Sequence, residues 1–181
     1  MIIMVNGAFG AGKTSAANRL VEEIPNSMLF DPEEIGFMLM KMVPEQMREE
    51  KAGSEDFQDL SMWREWTVKL AEHFLKEFGK HLIVPMTIRR PDYLAEIRGG
   101  FEATGEKTFH FCLIASKETI HDRLRMRGEE EGNWVFQQTD KCVDAYARGG
   151  FDETIDTERL TTEEVVQYII EKTHAVHLTS Q

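Results

Sequence analysis

The residues best suited to chemistry stand together near the start of the chain, in the run Gly7-Ala8-Phe9-Gly10-Ala11-Gly12-Lys13-Thr14. Its spacing is G-x-x-x-x-G-K-[ST], and each fixed type has a physical reason. Glycines at 10 and 12 let backbone N–H groups converge on an anion where a side chain would interfere. Lys13 brings an ammonium to the β- and γ-phosphates of a nucleoside triphosphate, and the Thr14 hydroxyl suits Mg²⁺. A helix opening at Lys13 aims its positive N-terminal end at the same charge. The run predicts an ATP site in which residues 7–14 hold the phosphates and Thr14 the metal.

Phosphate binding alone does not separate hydrolysis from transfer. The usual Walker B feature, an Asp ending an apolar strand, is missing, because the run from His81 ends in Pro85-Met86-Thr87. There is no Asn-Lys-x-Asp stretch to read guanine either. Both absences weigh against a GTPase or a mechanical ATPase and leave a small-molecule kinase.

Transfer requires a group at the acceptor hydroxyl. Asp31, after the second apolar run, can orient or deprotonate it, or hold Mg²⁺ through water. Asp31 is equally fit to cap the helix that follows. Arg123 and Arg127 lie one helical turn apart on a shared face, with Arg125 pointing elsewhere. They lead into a loop with Gly128 and Gly132 that can close as a lid, and an arginine so placed is worth roughly 10³–10⁵ in rate. The alternative is a solvated face neutralised by Glu129, Glu130 and Glu131. Arg89 and Arg90 follow the third strand, either as contacts to an anionic or sugar-bearing acceptor or as exposed loop residues before Pro91.

These groups need a scaffold that brings them to one edge. Short apolar runs at Ile2–Val5, Ser27–Phe30, His81–Met86, Thr108–Ala115 and Thr154–Asp156 read as strands. Helices are expected at Lys13–Glu23, from Asp31 to Met42, at 57–78, from Pro91, at Lys117–Arg127, at Trp134–Arg148 and from Thr161. Asp31 with Glu34, and Thr161 with Glu164, have the spacing of capping boxes. Residues 45–56, with Gly53, read as a loop or a short irregular helix. Leu60, Trp63, Trp66, Leu70, Phe74 and Phe78 form one stripe of the long helix, more core than ligand site. Met38, Met40 and Met42, with Trp63 and Trp66, are either a pliable acceptor pocket or further core. Alternating strands and helices argue for a three-layer α/β domain with a mainly parallel sheet, its ligand edge at the strand C-termini.

The whole chain, residues 1–181, fits one domain, with residues 123–148 as a helical lid. Its composition, 41% hydrophobic and 29% charged, is that of a globular protein. A formal net charge of −11 and the lack of a basic run argue against a nucleic-acid partner. No stretch approaches the ~20 apolar residues of a membrane span, and no signal-cleavage pattern stands at the start, so a cytoplasmic place is expected. Cys112 and Cys142 read as buried free thiols. Nothing in the sequence speaks to oligomeric state.

The stretches NGAFGAGKT, DPEEIGFML, VPMTI and ASKETIHDRLRMR together resemble the tunicamycin-resistance protein family of bacteria, over residues 1 to about 172. More broadly, they are similar to nucleoside-monophosphate-kinase-like proteins and antibiotic phosphotransferases. The resemblance implies a five-stranded parallel sheet in the kinase-type order, an ATP site, and resistance to a nucleoside antibiotic. Asp31 matches the strand-two aspartate that serves the acceptor hydroxyl in the wider kinase group. Arg123-Leu124-Arg125-Met126-Arg127 matches its R-L-x-x-R lid pattern, and the adenine is implied to rest near residues 156–160. The implied acceptor is tunicamycin or a nucleotide-sugar-like compound, with sequestration of the drug or an ordinary metabolic kinase as the alternatives.

Overall fold

The run Ile2-Ile3-Met4-Val5 becomes the middle strand of the computed structural model, which describes residues 1–52 and 56–178. This strand, β1 (Ile2–Gly7), is buried along its whole length. It is followed by α1 (Lys13–Glu23), β2 (Ser27–Leu29), α2 (Pro32–Met42) and α3 (Glu45–Ala52). A 3₁₀ turn (Phe57–Asp59) leads into α4 (Ser61–Phe78), β3 (His81–Met86), α5 (Pro91–Glu102) and β4 (Thr108–Ile114). The chain continues through α6 (Lys117–Met126), α7 (Trp134–Ala147), β5 (Glu153–Asp156) and α8 (Thr162–Leu178).

The five strands are all parallel, in the order β2-β3-β1-β4-β5. This is the expected α/β fold. Alternate side chains of β1 enter different layers because successive Cβ atoms point to opposite faces. Ile2 and Met4 join the core under α2, α4, α5 and α7, while Ile3 and Val5 join the core under α1 and α8. Parallel pairing puts the ends of β1, β2 and β3 side by side, so Gly7, Asp31 and Thr87 emerge at one edge.

Local signals explain where the helices begin. Ser116 Oγ accepts a hydrogen bond from Thr119 N at 3.2 Å, and Asn133 Oδ1 accepts one from Phe136 N at 3.2 Å. Thr161 and Glu164 form the reciprocal box, at 2.8 Å and 3.2 Å. The cap at α2 differs from the expected box: Asp31 Oδ1 accepts from Glu33 N at 2.9 Å, one residue earlier than the spacing suggested. Pro32 at the first helical position tightens that turn and brings the N–H of Glu33 to the carboxylate.

The aromatic stripe of α4 is mostly core. Trp63 is buried and its indole Nε1 donates to Pro32 O at 2.9 Å, tying α4 to the start of α2. Phe74 meets Phe30 edge-on at 5.4 Å, and only Phe78 at the helix end is substantially exposed. Of the segment 45–56, residues 45–52 are helical, and Gly53 lies outside the described residues. Cys112 and Cys142 are free and buried, and burial pushes both thiols up.

Candidate active site

The loop between β1 and α1 is held from below by Asn6, a buried polar residue that ends an apolar strand. Its Oδ1 accepts from Gly7 N at 2.9 Å, from Ile88 N at 2.8 Å and from the Tyr146 hydroxyl at 3.3 Å. Its Nδ2 donates to Ile88 O at 2.9 Å. One side chain thus fixes the loop to the segment after β3 and to α7. Its one signal in the sequence is an amide where another apolar residue was due.

Gly12 opens α1 with φ +98°, a left-handed conformation that favours glycine. The helix start carries no side-chain cap and no acidic residue in its first turn. Its first N–H groups are therefore not capped by a side chain of the helix itself, which leaves them and the helix dipole available to an anion. Lys13 Nζ donates to Ala8 O at 2.9 Å and lies over the Phe9 ring at 5.4 Å. Burial pushes the Lys13 ammonium pKa down, Glu33 and Asp31 hold it up, and Arg127 adds to the fall. Thr14 is exposed at the same loop.

Lys13, Thr14, Asp31, Glu33 and Arg127 line one small cavity of about 100 Å³. Burial raises the Asp31 carboxyl above its ordinary value, with Glu34 adding and the Glu33 N–H and Lys13 opposing. Burial also raises Glu33, with Asp31 adding and Lys13 and the Thr87 hydroxyl opposing. Thr87 Oγ1 donates to Glu33 Oε1 at 3.2 Å. Glu33 was missed by sequence reading, where it was one of several acids in a helix start. The donor set fits Mg²⁺ held mainly by phosphate oxygens and Thr14, with carboxylates beyond. Among the described residues no group of three or more His, Cys, Asp or Glu could hold a metal by itself.

Two larger cavities share walls with this one. On the α8 side a space of about 420 Å³ shares Gly10, Gly12 and Arg127 with it, and is closed by Met126, Thr157 and Leu160. The region implied for adenine, around 156–160, lies here. On the other side a chamber of about 350 Å³ shares Phe9 and Glu33. Phe37, Met40, Phe57 and Trp134 give it apolar walls, and Asp56, Gln58, Thr87, Arg89 and Gln138 are its other polar lining. Phe57 lies flat on α2 because residue 36 is glycine: a Cβ there would meet the ring at 2.5 Å. Of the five residues considered for an acceptor pocket, Met40 lines the chamber, Trp63 is core and Met42 is exposed.

The candidate arginines separate. Arg127 reaches both the phosphate cavity and the larger space on the α8 side. Arg123 lines only the latter, and its guanidinium is engaged with Thr157, at 3.0 Å to Oγ1 and 2.7 Å to the carbonyl oxygen. Arg125 pairs with Asp122 and Glu131, each at 2.7 Å, so Glu131 neutralises Arg125. Arg89 lines the chamber with the apolar walls, 3.5 Å from Asp56. Arg90 turns outward, bound to Asp92 at 2.6 Å and stacked 4.0 Å over Tyr93.

A family described as an AAA domain matches residues 2–148. No match was found among curated proteins. Among solved structures, the tunicamycin resistance protein of Deinococcus radiodurans is 32% identical, with a TM-score of 0.76, over 95% of this chain and 94% of that one. A gluconokinase from Sinorhizobium meliloti 1021 is 16% identical, with a TM-score of 0.68, over 99% and 97% of the two chains. A shikimate kinase from Acinetobacter baumannii, in complex with shikimate, is 17% identical, with a TM-score of 0.63, over 96% and 93%. At those identities the two kinases share the fold with this chain.

Proposed function

The chain belongs to the AAA domain family and is a relative of the Deinococcus radiodurans tunicamycin resistance protein; from that premise we propose that it is an ATP-dependent phosphotransferase acting on a small hydroxylated molecule, with tunicamycin as the acceptor. The observation that carries this reading is the joint between the two cavities. Glu33 belongs to the walls of both the phosphate cavity and the apolar chamber, and Phe9 stands with it. A phosphoryl donor on one side and a hydroxyl on the other meet there.

Residues 7–14 and Lys13 hold the β- and γ-phosphates, and Thr14 takes the metal. Mg²⁺ supplies charge neutralisation on the phosphate oxygens. Glu33 accepts the proton of the acceptor hydroxyl as that oxygen attacks the γ-phosphorus, and the bond from phosphorus to the β-phosphate oxygen breaks to leave ADP. Its raised pKa makes it a stronger base than an ordinary carboxylate. Asp31 lines the phosphate cavity but not the chamber, which suits it to the metal's water shell more than to the hydroxyl originally considered for it. Lys13 and Arg127 stabilise the charge that spreads over the transferred group. Arg123 acts through Thr157, holding the wall of the nucleoside space.

One observation favours sequestration without chemistry: several polar groups of the chamber already have partners, Thr87 on Glu33 and Arg89 beside Asp56. Mass spectrometry of tunicamycin after incubation with the protein, ATP and Mg²⁺ separates the two readings. A phosphorylated drug that disappears with Lys13→Ala is the expected result. Bound but unmodified drug would replace transfer by sequestration.

A further inference from the structure

A nucleobase is told from its rivals at its edge, where carbonyls, amino groups and ring nitrogens differ; its flat faces are alike in kind in all of them. A site that selects one base needs donors and acceptors set against that edge. The side chains best shaped for it are Asn, Gln, Asp and Glu, which pair with one base and are left unpaired by another.

Among the described residues that line the space of about 420 Å³ beside the phosphate cavity, none is Asn, Gln, Asp or Glu. Its polar groups are turned on the protein itself. Thr157 Oγ1 donates to Ile114 O at 3.1 Å and accepts from Arg123 at 3.0 Å, and Arg123 also donates to Thr157 O at 2.7 Å. Thr161 Oγ1 accepts from Glu164 N at 3.2 Å. The backbone is engaged likewise. Thr157 N donates to Ile114 O at 2.8 Å, Thr161 N donates to Glu164 Oε2 at 2.8 Å, and Thr161 O accepts from Val165 N at 3.1 Å. Leu160, Thr162 and Val165 complete that stretch of wall.

What these walls offer a base is carbon. Leu113 and Val165 are buried, Met126 at the end of α6 is 80% exposed, and Leu160 on the separate segment before α8 is 38% exposed. A methionine bends to fit, and its sulfur makes favourable contacts with an aromatic ring. Contact of this kind holds the face of any base. Apolar walls cannot strongly reject an isostere, whereas a site that hydrogen-bonds a polar edge rejects the wrong one by roughly 10⁴.

Resting on the nucleotide reading of residues 7–14, we infer that the phosphate-donor site selects the triphosphate and tolerates the base, so that GTP binds as ATP does, and that Met126 and Leu160 hold whichever base is present. Recognition is thus divided. The phosphate cavity supplies charge and directed bonds through Lys13 and Arg127, and the nucleoside space supplies contact area.

Calorimetric titration with the Mg²⁺ complexes of the β,γ-imido analogues of ATP and GTP, and with inorganic tripolyphosphate, tests this. The two purines are of similar size and differ at the edge. Their analogues should bind within about tenfold of each other, and each at least about tenfold tighter than tripolyphosphate, because the walls add apolar burial. Met126→Ala/Leu160→Ala should weaken both analogues by about tenfold and leave tripolyphosphate unchanged. Both side chains are exposed enough for the fold to survive their loss. A difference of more than about tenfold between the two analogues would overturn the inference, since it would require groups that read the edge. A double variant that weakens one analogue alone would overturn it as well. Tripolyphosphate binding as tightly as either analogue would overturn it while leaving the phosphate site intact. Failure of all three ligands to bind would overturn it together with the nucleotide reading. The readout is binding, so it is independent of whether phosphate passes to an acceptor.

Discussion

The phosphate end and the acceptor end of this site are built in opposite ways. The phosphate end is built around one continuous stretch, residues 7–14, which supplies five of the nine residues lining its cavity, with Asp31, Glu33, Pro85 and Arg127 completing the wall. The acceptor end draws Phe9 from the loop, Glu33 and Phe37 from α2, Phe57 from a 3₁₀ turn, Arg89 from beyond β3 and Trp134 from α7. Local geometry shapes most of the first, with Arg127 brought in by packing. Tertiary packing makes the second throughout, and Gly36 under Phe57 is part of it. The comparison teaches that one end can stay fixed while the other changes its ligand.

The sharpest way to break this division is at Glu33, which belongs to both ends. Glu33→Gln should lower the transfer rate by about 10²–10⁴, the usual weight of a general base. The same variant should be more stable than the parent at neutral pH. The folded-state pKa of Glu33 is raised by burial, so the folded chain holds its proton more tightly than the unfolded one. Stability therefore falls as pH rises through that window, and the amide removes the dependence. Thermal unfolding at pH 4 and pH 7.5 measures it, and a variant that loses both activity and stability would contradict the assignment.

A smaller effect separates the adjacent arginines. Arg89→Ala should raise the acceptor KM by roughly ten- to a hundredfold, as loss of a charged contact of about 1.5–3 kcal/mol would. Arg90→Ala should leave it within twofold, because Arg90 faces Asp92 and Tyr93. Equal losses in both would mean that the chamber extends further than its walls indicate.

Tyr146→Phe removes the hydroxyl that α7 offers to Asn6 Oδ1. The expected cost is about 0.5–1.5 kcal/mol in urea unfolding, since Asn6 keeps its bonds to Gly7 and Ile88. A cost several times larger would make α7 part of the loop's support instead of an addition to it.

The last effect lies away from both ends. His110 on β4 is buried, with Asp152 at 3.2 Å from its Nδ1, and Arg98 is bound to the same carboxylate. Burial pushes its pKa from 6.5 down to about 4, Asp152 opposing and Arg98 adding to the fall. Between those values the unfolded chain binds a proton that the folded chain does not, so stability is lost as pH falls through the window. His110→Phe should flatten the unfolding free energy between pH 6.5 and pH 4, with no change in nucleotide affinity.

Much of the scaffold was legible because its signals are short-range. The five apolar runs, the capping box at Thr161 and the glycine-lysine spacing each depend on neighbours within a few residues. Glu33 was not legible. In sequence it is one acid among several at a helix start, and only the approach of Thr87 and Lys13 singles it out. Asn6 was not legible either, because two of its three acceptor contacts come from residues 88 and 146, far along the chain. The arginines were read by helical face, chain position and pattern, which group Arg123 with Arg127 but carry no information on Thr157, the partner that engages Arg123.

The central claim is that one site has two separable ends joined at Glu33, and paired titrations of each end test it most directly. A Mg²⁺-bound non-hydrolysable ATP analogue and tunicamycin are titrated separately into the parent protein, Lys13→Ala and Phe37→Ala/Trp134→Ala. The account predicts that Lys13→Ala loses the nucleotide and keeps the drug, and that the double variant does the reverse. Loss of both ligands in both variants, with folding intact, would contradict it.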